Sequence, residues 1–215
     1  DTPDRLPVLI NLSEIFARGG DLDESREYME RAWKARKKDQ RYWNDNRSYI
    51  ARHCLKLASF EEKSGRFVSA YHLMSKAYHT DSSIINKKGL YKKGIEFVKK
   101  EGLRGEKINA YEILKTMETD FSDYGRMYNQ IAWFILSNRN VVFEGPETAK
   151  KYAEKAVRLM ESKDDPFKDA AYFTLAKAHY ELKEYDKMRE FESKALSTAP
   201  DERKSFYQSR QFRIK

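Results

Sequence analysis

Two amphipathic segments near the end of the chain constrain the fold more than any other feature of the sequence. In the first, apolar residues recur on one helical face, at Tyr172, Leu175, Ala176 and Tyr180. The second shows the same spacing, at Tyr185, Met188, Phe191, Ala195 and Leu196. Pro200 ends the second segment because its ring cannot continue a helical hydrogen-bond ladder. The pattern therefore predicts two antiparallel helices, each with one apolar side.

The composition also favours helices over strands. Charged residues make up 35% of the 215 residues, and the chain has only 9 Gly and 5 Pro. No apolar run approaches the roughly 20 residues that a membrane-spanning helix needs, so we expect a soluble chain, either cytoplasmic or periplasmic. The first residue is Asp1 rather than Met, which we interpret as an excised domain or a processed mature form.

Three further regions repeat the same order of large and small residues. The N-terminal copy contains Leu12, Ser13, Phe16, Gly20, Asp21, Leu22 and Ala32. The next contains Leu57, Ala58, Phe60, Gly65, Phe67, Ala70 and Ala77. Another contains Tyr128, Ile131, Ala132, Ala149, Ala153 and Ala156. The repetition indicates an array, because one helix pair cannot bury its apolar side alone and neighbouring pairs must stack.

This order of residues resembles the tetratricopeptide repeat family. The family has an aromatic, a Leu-Ala pair and a second aromatic in its first helix, then a late alanine and a closing proline. Met188 and Glu192 depart from it, since the family favours alanine and an aromatic there. The resemblance implies an all-α fold, a right-handed α-solenoid of about five antiparallel helix pairs with a C-terminal capping helix.

We expect a single domain over residues 1–215. The predicted pairs span 5–38, 41–80, 82–120, 123–162 and 166–199, and the capping helix spans 201–213. The helix before Ala58 is expected to extend back towards Tyr42 and Trp43. The third pair is expected to break at Glu101 and Gly102, and its status as a true repeat is left open. Ser137 to Gly145 should form a long turn.

In the family, the first helices of successive pairs line a concave groove that binds a peptide or a partner helix. The outward-facing positions of those helices are here Asn11, Arg52, Lys56, Ser59, Asn129, Gln130, Trp133, Phe173, Thr174 and Lys177. These positive, amide and aromatic side chains suit a partner that carries carboxylates. Two interpretations of Trp133 remain open: it anchors a ligand, or it packs against neighbouring helices.

The resemblance implies a non-catalytic protein–protein interaction scaffold. Some members hold a C-terminal carboxylate through a Lys-Asn clamp, but Ile10 and Glu14 stand at those positions here, which argues against that role. The last two pairs also resemble helical tails of bacterial proteins that carry thioredoxin-like or signalling domains. This second resemblance would place the chain in a larger bacterial protein.

Two alternatives involve other partners. Residues 31–107 contain twenty Lys and Arg against eight Asp and Glu, which would suit nucleic-acid binding through a basic face. No known nucleic-acid motif accompanies this basic excess, so nucleic acid is the secondary interpretation. Self-association through the tail aromatics Phe206, Tyr207 and Phe212 is a third interpretation.

Nothing in the sequence indicates an active site, a metal or a cofactor. The four histidines, His53, His72, His79 and His179, form no catalytic or metal-binding pattern. The single Cys54 excludes an internal disulfide, and we expect a buried structural thiol. We therefore expect no enzymatic activity.

Overall fold

The computed structural model describes residues 5–138, 145–210 and 212. Within these residues it contains twelve helices and no strand. The helices are α1 (Leu6–Gly19), α2 (Leu22–Ala35), α3 (Gln40–Asp45), α4 (Arg47–Lys63), α5 (Phe67–Thr80), α6 (Lys87–Leu103), α7 (Lys107–Asp120), α8 (Gly125–Ser137), α9 (Gly145–Ser162), α10 (Lys168–Glu181), α11 (Tyr185–Thr198) and α12 (Asp201–Gln208). The predicted all-α class, the paired helices and the C-terminal helix are confirmed.

The helices belong to two compact units. Unit 1 comprises Asp1–Val98 and Glu112–Thr116, and unit 2 comprises Lys99–Tyr111 and Met117–Lys215. Helices α6 and α7 therefore contribute residues to both. The single domain expected from the sequence remains a prediction.

Unit 1 contains two stacked helix pairs. Helix α1 packs against α2 and α4 against α5, and both α1 and α2 also contact α4. The large side chains between them are fully buried, among them Leu9, Ile10, Met29, Ile50 and Tyr71. Where α1 meets α2, Ser13 and Ser25 each donate a hydrogen bond to the other's backbone carbonyl, at 2.8 and 2.6 Å. Small residues at this position let the two backbones approach closely.

Unit 2 contains two further pairs, α8 with α9 and α10 with α11, and α10 also packs on both α8 and α9. The repeat alanines lie in the interior, where Ala132, Ala153, Ala156, Ala176 and Ala195 have no exposed surface. Helix α12 begins after Pro200 and packs against α11. It ends at Gln208, which is shorter than the predicted span to residue 213.

The same turn closes the first helix of four pairs. In each turn the residue immediately before the next helix donates its N–H to the carbonyl five residues earlier, at 2.9 to 3.0 Å. The preceding residue has a positive φ in all four, namely Gly20, Gly65, Gly105 and Lys183. This is the geometry of a helix C-terminus that favours glycine, because an L side chain strains a left-handed backbone. The recurrent Gly positions of the sequence thus mark the turns.

Two predicted boundaries were wrong. The third pair does not break at Glu101 and Gly102, because the turn geometry is supplied by Gly105 and α6 continues to Leu103. The helix before Ala58 does not extend to Tyr42, since α3 ends at Asp45 and α4 begins at Arg47. Between them the Asn46 backbone leaves helical geometry, with φ −113° and ψ 11°, and its side-chain amide donates to the Tyr42 carbonyl at 2.9 Å.

Helix α2 has a side-chain cap. Asp21 accepts the N–H of Glu24 at 3.1 Å. Most of the expected long turn between Ser137 and Gly145 lies outside the described residues.

Candidate functional site

A cleft of about 610 Å³ opens in unit 2. Its walls come from α8, α10, α12 and the end of α6, and we call it the unit 2 cleft. Five of the ten residues that the sequence assigned to a groove line it: Asn129, Gln130, Trp133, Phe173 and Thr174. The cleft therefore brings together the predicted positions of the last two helix pairs.

Three aromatic rings line the cleft, one each from α8, α10 and α12. The Trp133 ring of α8 lies 6.2 Å from the Phe173 ring of α10, measured between centroids. Phe173 in turn lies 6.2 Å from Phe206 of α12. We call these three residues the aromatic row. Trp133 is half-buried and Phe206 is 43% exposed, so both retain surface that a ligand can contact.

Phe173 and Thr174 are buried, although the sequence placed them on an outward face. Phe173 is only 3% exposed because Tyr207 and Phe212 pack on its ring, at 4.9 and 5.2 Å between centroids. Thr174 donates its hydroxyl to the Ala170 carbonyl at 2.9 Å. The expected exposure was wrong because the C-terminal segment covers this part of α10. Their role in binding, and self-association through the tail aromatics, stay predictions.

Two amide side chains face the cleft beside the aromatic row. Gln130 is exposed, whereas the Oδ1 atom of Asn129 is buried. In the part of the chain that the structure describes, this oxygen accepts no hydrogen bond. A buried acceptor without a donor costs about 1–3 kcal/mol. Because this oxygen is closed to solvent, the amide that a ligand in the cleft can reach is that of Gln130.

The charge at the cleft is positive. Lys99 lines it, and the Lys177 Nζ lies 4.3 Å from the centre of the Trp133 ring and 3.5 Å from the Ser137 hydroxyl. Among the described residues that line the cleft, none is an Asp or a Glu. A ligand with carboxylates would therefore meet cations without facing a like charge.

A buried ion pair holds α12 beside the cleft. The Arg203 guanidinium donates to both Asp169 oxygens, at 2.9 and 3.0 Å, and the Tyr207 hydroxyl donates to the same carboxylate at 2.8 Å. Burial and this bond to Asp169 raise the pKa of Tyr207. Sequence reasoning missed Asp169 and Arg203, since two charges so far apart in the chain carry no periodic signal.

The remaining predicted residues lie elsewhere. Lys177 lies next to the cleft, on Trp133. Asn11 of α1 and Arg52, Lys56 and Ser59 of α4 are exposed in unit 1, away from the lining of the unit 2 cleft. No observation assigns these four a ligand, so their role remains a prediction.

Glu14 occupies one of the positions of the family's carboxylate clamp. Its carboxylate accepts hydrogen bonds from Arg18, at 2.6 Å, and from the Tyr49 hydroxyl. The bond from Tyr49 lowers the pKa of Glu14, and the same bond raises the pKa of Tyr49 to about 12. A second carboxylate would meet a negative charge at this point.

Acidic residues offset part of the basic excess of residues 31–107. Lys76 pairs with Glu30, and Arg66 lies 3.2 Å from Asp23, so the acidic N-terminal stretch contributes to both pairs. Lys93 pairs with Glu62 at 2.8 Å. Such pairs reduce the charge that could face phosphates, and nucleic-acid binding stays a prediction.

The histidine and cysteine side chains form no metal cluster. Across residues 5–138, 145–210 and 212, no group of three His, Cys, Asp or Glu could hold a metal ion. Cys54 is buried, as predicted, and burial raises the pKa of its thiol to about 12. His53 is also buried, 2.9 Å from the Ser13 hydroxyl. No helix in the described ranges is long and apolar enough to cross a bilayer.

Comparison with known proteins agrees with the resemblance seen in the sequence. Residues 6–39 and 169–202 match the tetratricopeptide repeat family, which confirms the resemblance at these two segments. No curated protein matches the chain at a significant level.

Two solved structures are among those similar to the chain. The crystal structure of MamA protein is 16% identical, with a TM-score of 0.43, and the match covers 98% of each chain. A putative kinesin light chain from Podosopora anserina with nearly identical TPR-like repeats is 15% identical, with a TM-score of 0.41. That match covers 92% of this chain and 96% of the other.

Proposed function

From the tetratricopeptide repeats that this chain contains at residues 6–39 and 169–202, we propose a non-catalytic interaction protein whose unit 2 cleft binds a peptide. The proposed ligand is an extended, acidic segment of a partner protein. Repeats of this family generally mediate protein–protein interaction, and the second matched segment supplies α10, which forms the middle of the cleft. The peptide and its location are the part of the proposal that goes beyond the family.

The observation that carries the proposal is the partly exposed surface of the Trp133 and Phe206 rings, which line the same cleft. A peptide can place an apolar side chain on these rings while its backbone polar groups lie against the polar lining, where Gln130 is exposed. The neighbouring rings supply the apolar contact that dominates binding energy at most interfaces.

The charge of the cleft supports an acidic ligand. Lys99 and Lys177 lie at or next to the cleft, and acidic side chains are absent from its described lining. Charge complementarity of this kind favours the encounter of a negatively charged segment and disfavours a positively charged one.

A second part of the proposal rests on the sequence alone. In it, the chain is the interaction module of a larger bacterial protein that carries a thioredoxin-like or signalling domain. The cleft would then recruit the partner on which that domain acts.

A random dodecapeptide display library tests the proposal. The library is selected on the full chain and counter-screened on a Trp133→Glu variant. We expect enriched peptides that are rich in Asp and Glu and that bind the variant at least about tenfold more weakly. Circular dichroism of both proteins checks that the variant is folded.

An Ile108→Glu variant is the matched control, because Ile108 is 83% exposed in unit 2 and does not line the cleft. It should bind the selected peptides as the unmodified chain does. The proposal is wrong if no peptide is enriched, or if the enriched peptides bind the Trp133→Glu variant with unchanged affinity.

A further inference from the structure

We infer that α12 is a wall of the binding site as well as a cap, and that the bound peptide places one large apolar side chain between the Trp133 and Phe206 rings. This inference rests on the proposed function. It names a specificity-determining residue, Phe206, on a helix that the groove prediction left out.

The two partly exposed rings of the aromatic row, Trp133 and Phe206, form what we call the cradle. Each lies 6.2 Å from the central Phe173 ring, which is 3% exposed because Tyr207 and Phe212 cover it. Phe173 therefore supports the two outer rings and is not itself a contact surface. A methyl group would leave much of the exposed ring surface in water, whereas an aromatic or a long aliphatic side chain could contact both Trp133 and Phe206.

Contacts made by neighbouring residues of α12 fix the position of Phe206. Tyr207, the next residue, is 3% exposed and donates its hydroxyl to Asp169, and Arg203 holds the same carboxylate with two hydrogen bonds. These contacts fasten α12 to α10, and the Phe206 ring packs edge-on against the Tyr207 ring, at 5.3 Å between centroids. Because α12 is already held in place, little conformational entropy is lost when a ligand contacts the Phe206 ring.

The occupant to which these observations point is a peptide with acidic residues around one large apolar residue. The cradle takes the apolar side chain, and Lys99 and Lys177 lie close enough to the cleft to attract neighbouring carboxylates. A small apolar molecule would contact the rings but would gain nothing from the positive charge of the cleft.

A double-mutant cycle on the full chain tests this inference, with the highest-affinity peptide from the dodecapeptide selection as the probe. We expect Phe206→Ala to weaken binding by about tenfold and Phe206→Leu to restore most of it. Replacing the large apolar residue of the peptide with Ala should cost a similar factor. When Phe206→Ala is tested with the substituted peptide, the loss of affinity should be smaller than the product of the two single losses. Both changes remove the same contact.

Tyr111→Ala is the control, since Tyr111 is a 52% exposed aromatic of unit 2 outside the cleft lining. It should leave affinity unchanged. Losses that multiply, or selected peptides without a large apolar residue, would overturn the cradle and leave the proposed function standing. If no peptide is enriched at all, or if only small apolar molecules bind, both the cradle and the proposed function are wrong.

Discussion

Arg203 of α12 holds Asp169 of α10 through two parallel hydrogen bonds, from Nε at 2.9 Å and from Nη2 at 3.0 Å. The Asp169 side chain is 1% exposed, so its carboxylate has almost no contact with water. Its two-point geometry fixes the angle of α12 as well as its position. The pair therefore links the stability of the C-terminal helix to the shape of the unit 2 cleft.

Replacing Asp169 with Asn should destabilise the chain by roughly 2–4 kcal/mol, because a buried charge pair loses one partner and an amide N–H faces the guanidinium. Urea unfolding followed by circular dichroism measures the change. Asp201→Asn is the control: Asp201 pairs with Lys204, but its side chain is 94% exposed. It should leave the urea midpoint unchanged. Equal midpoints for Asp169→Asn and the unmodified chain would contradict the structural role of the pair.

Gly125→Ala should destabilise unit 2 by about 1–3 kcal/mol. A Cβ at Gly125 would lie 2.5 Å from the Cγ of Met160 and 3.1 Å from the Ala156 carbonyl oxygen of α9. The Met160 side chain could turn away, but the backbone carbonyl is fixed.

The matched control for this variant is Gly19→Ala, where an added Cβ meets no atom within 4 Å. This helical position should gain roughly 0.5 kcal/mol or stay unchanged. Thermal unfolding of the two variants separates the effects. A Gly125→Ala protein as stable as Gly19→Ala would show that α8 and α9 pack less closely than described.

Stability should fall as the pH drops below about 6.5, the ordinary pKa of histidine, in part because of His53. Burial lowers the pKa of this residue, so the unfolded chain takes up the proton at a higher pH than the folded chain does. The folded state is favoured above that pH and progressively loses the advantage below it. One such group contributes at most about 1.4 kcal/mol per pH unit.

His53→Gln checks this prediction, because a Gln amide can reach the position from which the imidazole Nε2 meets the Ser13 hydroxyl at 2.9 Å. Urea midpoints at several pH values between 5 and 7.5 should show a shallower slope for the variant. A slope identical to that of the unmodified chain would mean that His53 does not contribute.

Lys177→Glu should weaken binding of acidic peptides by about tenfold at low salt, and the loss should shrink as salt screens the charge. The substitution places an acid where a cation now lies 4.3 Å from the Trp133 ring centre. Lys151→Glu makes the same change of net charge at an exposed position of α9 away from the cleft lining. Fluorescence polarisation of a labelled peptide compares them. Equal losses in both variants would mean that only overall charge matters.

The sequence predicts much of the fold because helix pairs are specified locally. Apolar spacing, the turn glycines and the buried alanines each act within one pair, so the helix bounds follow closely from the repeat pattern. The errors arose where the backbone of one residue departs from the helical pattern. Asn46 leaves helical geometry and splits a predicted helix, and the positive φ of Gly105 places a predicted break a few residues later.

The candidate site is less predictable from sequence because it depends on contacts between distant segments. Trp133 and Asn129 were found from the repeat register, since both lie on one face of α8. The cover that α12 provides over Phe173 depends on Asp169 and Arg203, which come together only in the folded chain. The burial of the Asn129 Oδ1 atom likewise cannot be predicted from the sequence, because it depends on the packing of neighbouring residues.

Photo-crosslinking of a bound peptide tests the central claim most directly. A selected peptide carrying a photoreactive analogue at its large apolar position is irradiated with the full chain, and the attachment sites are mapped by mass spectrometry. We predict attachment at or next to Trp133, Phe173 and Phe206, on α8, α10 and α12. Attachment confined to unit 1 or to α9 and α11 would contradict binding in the unit 2 cleft.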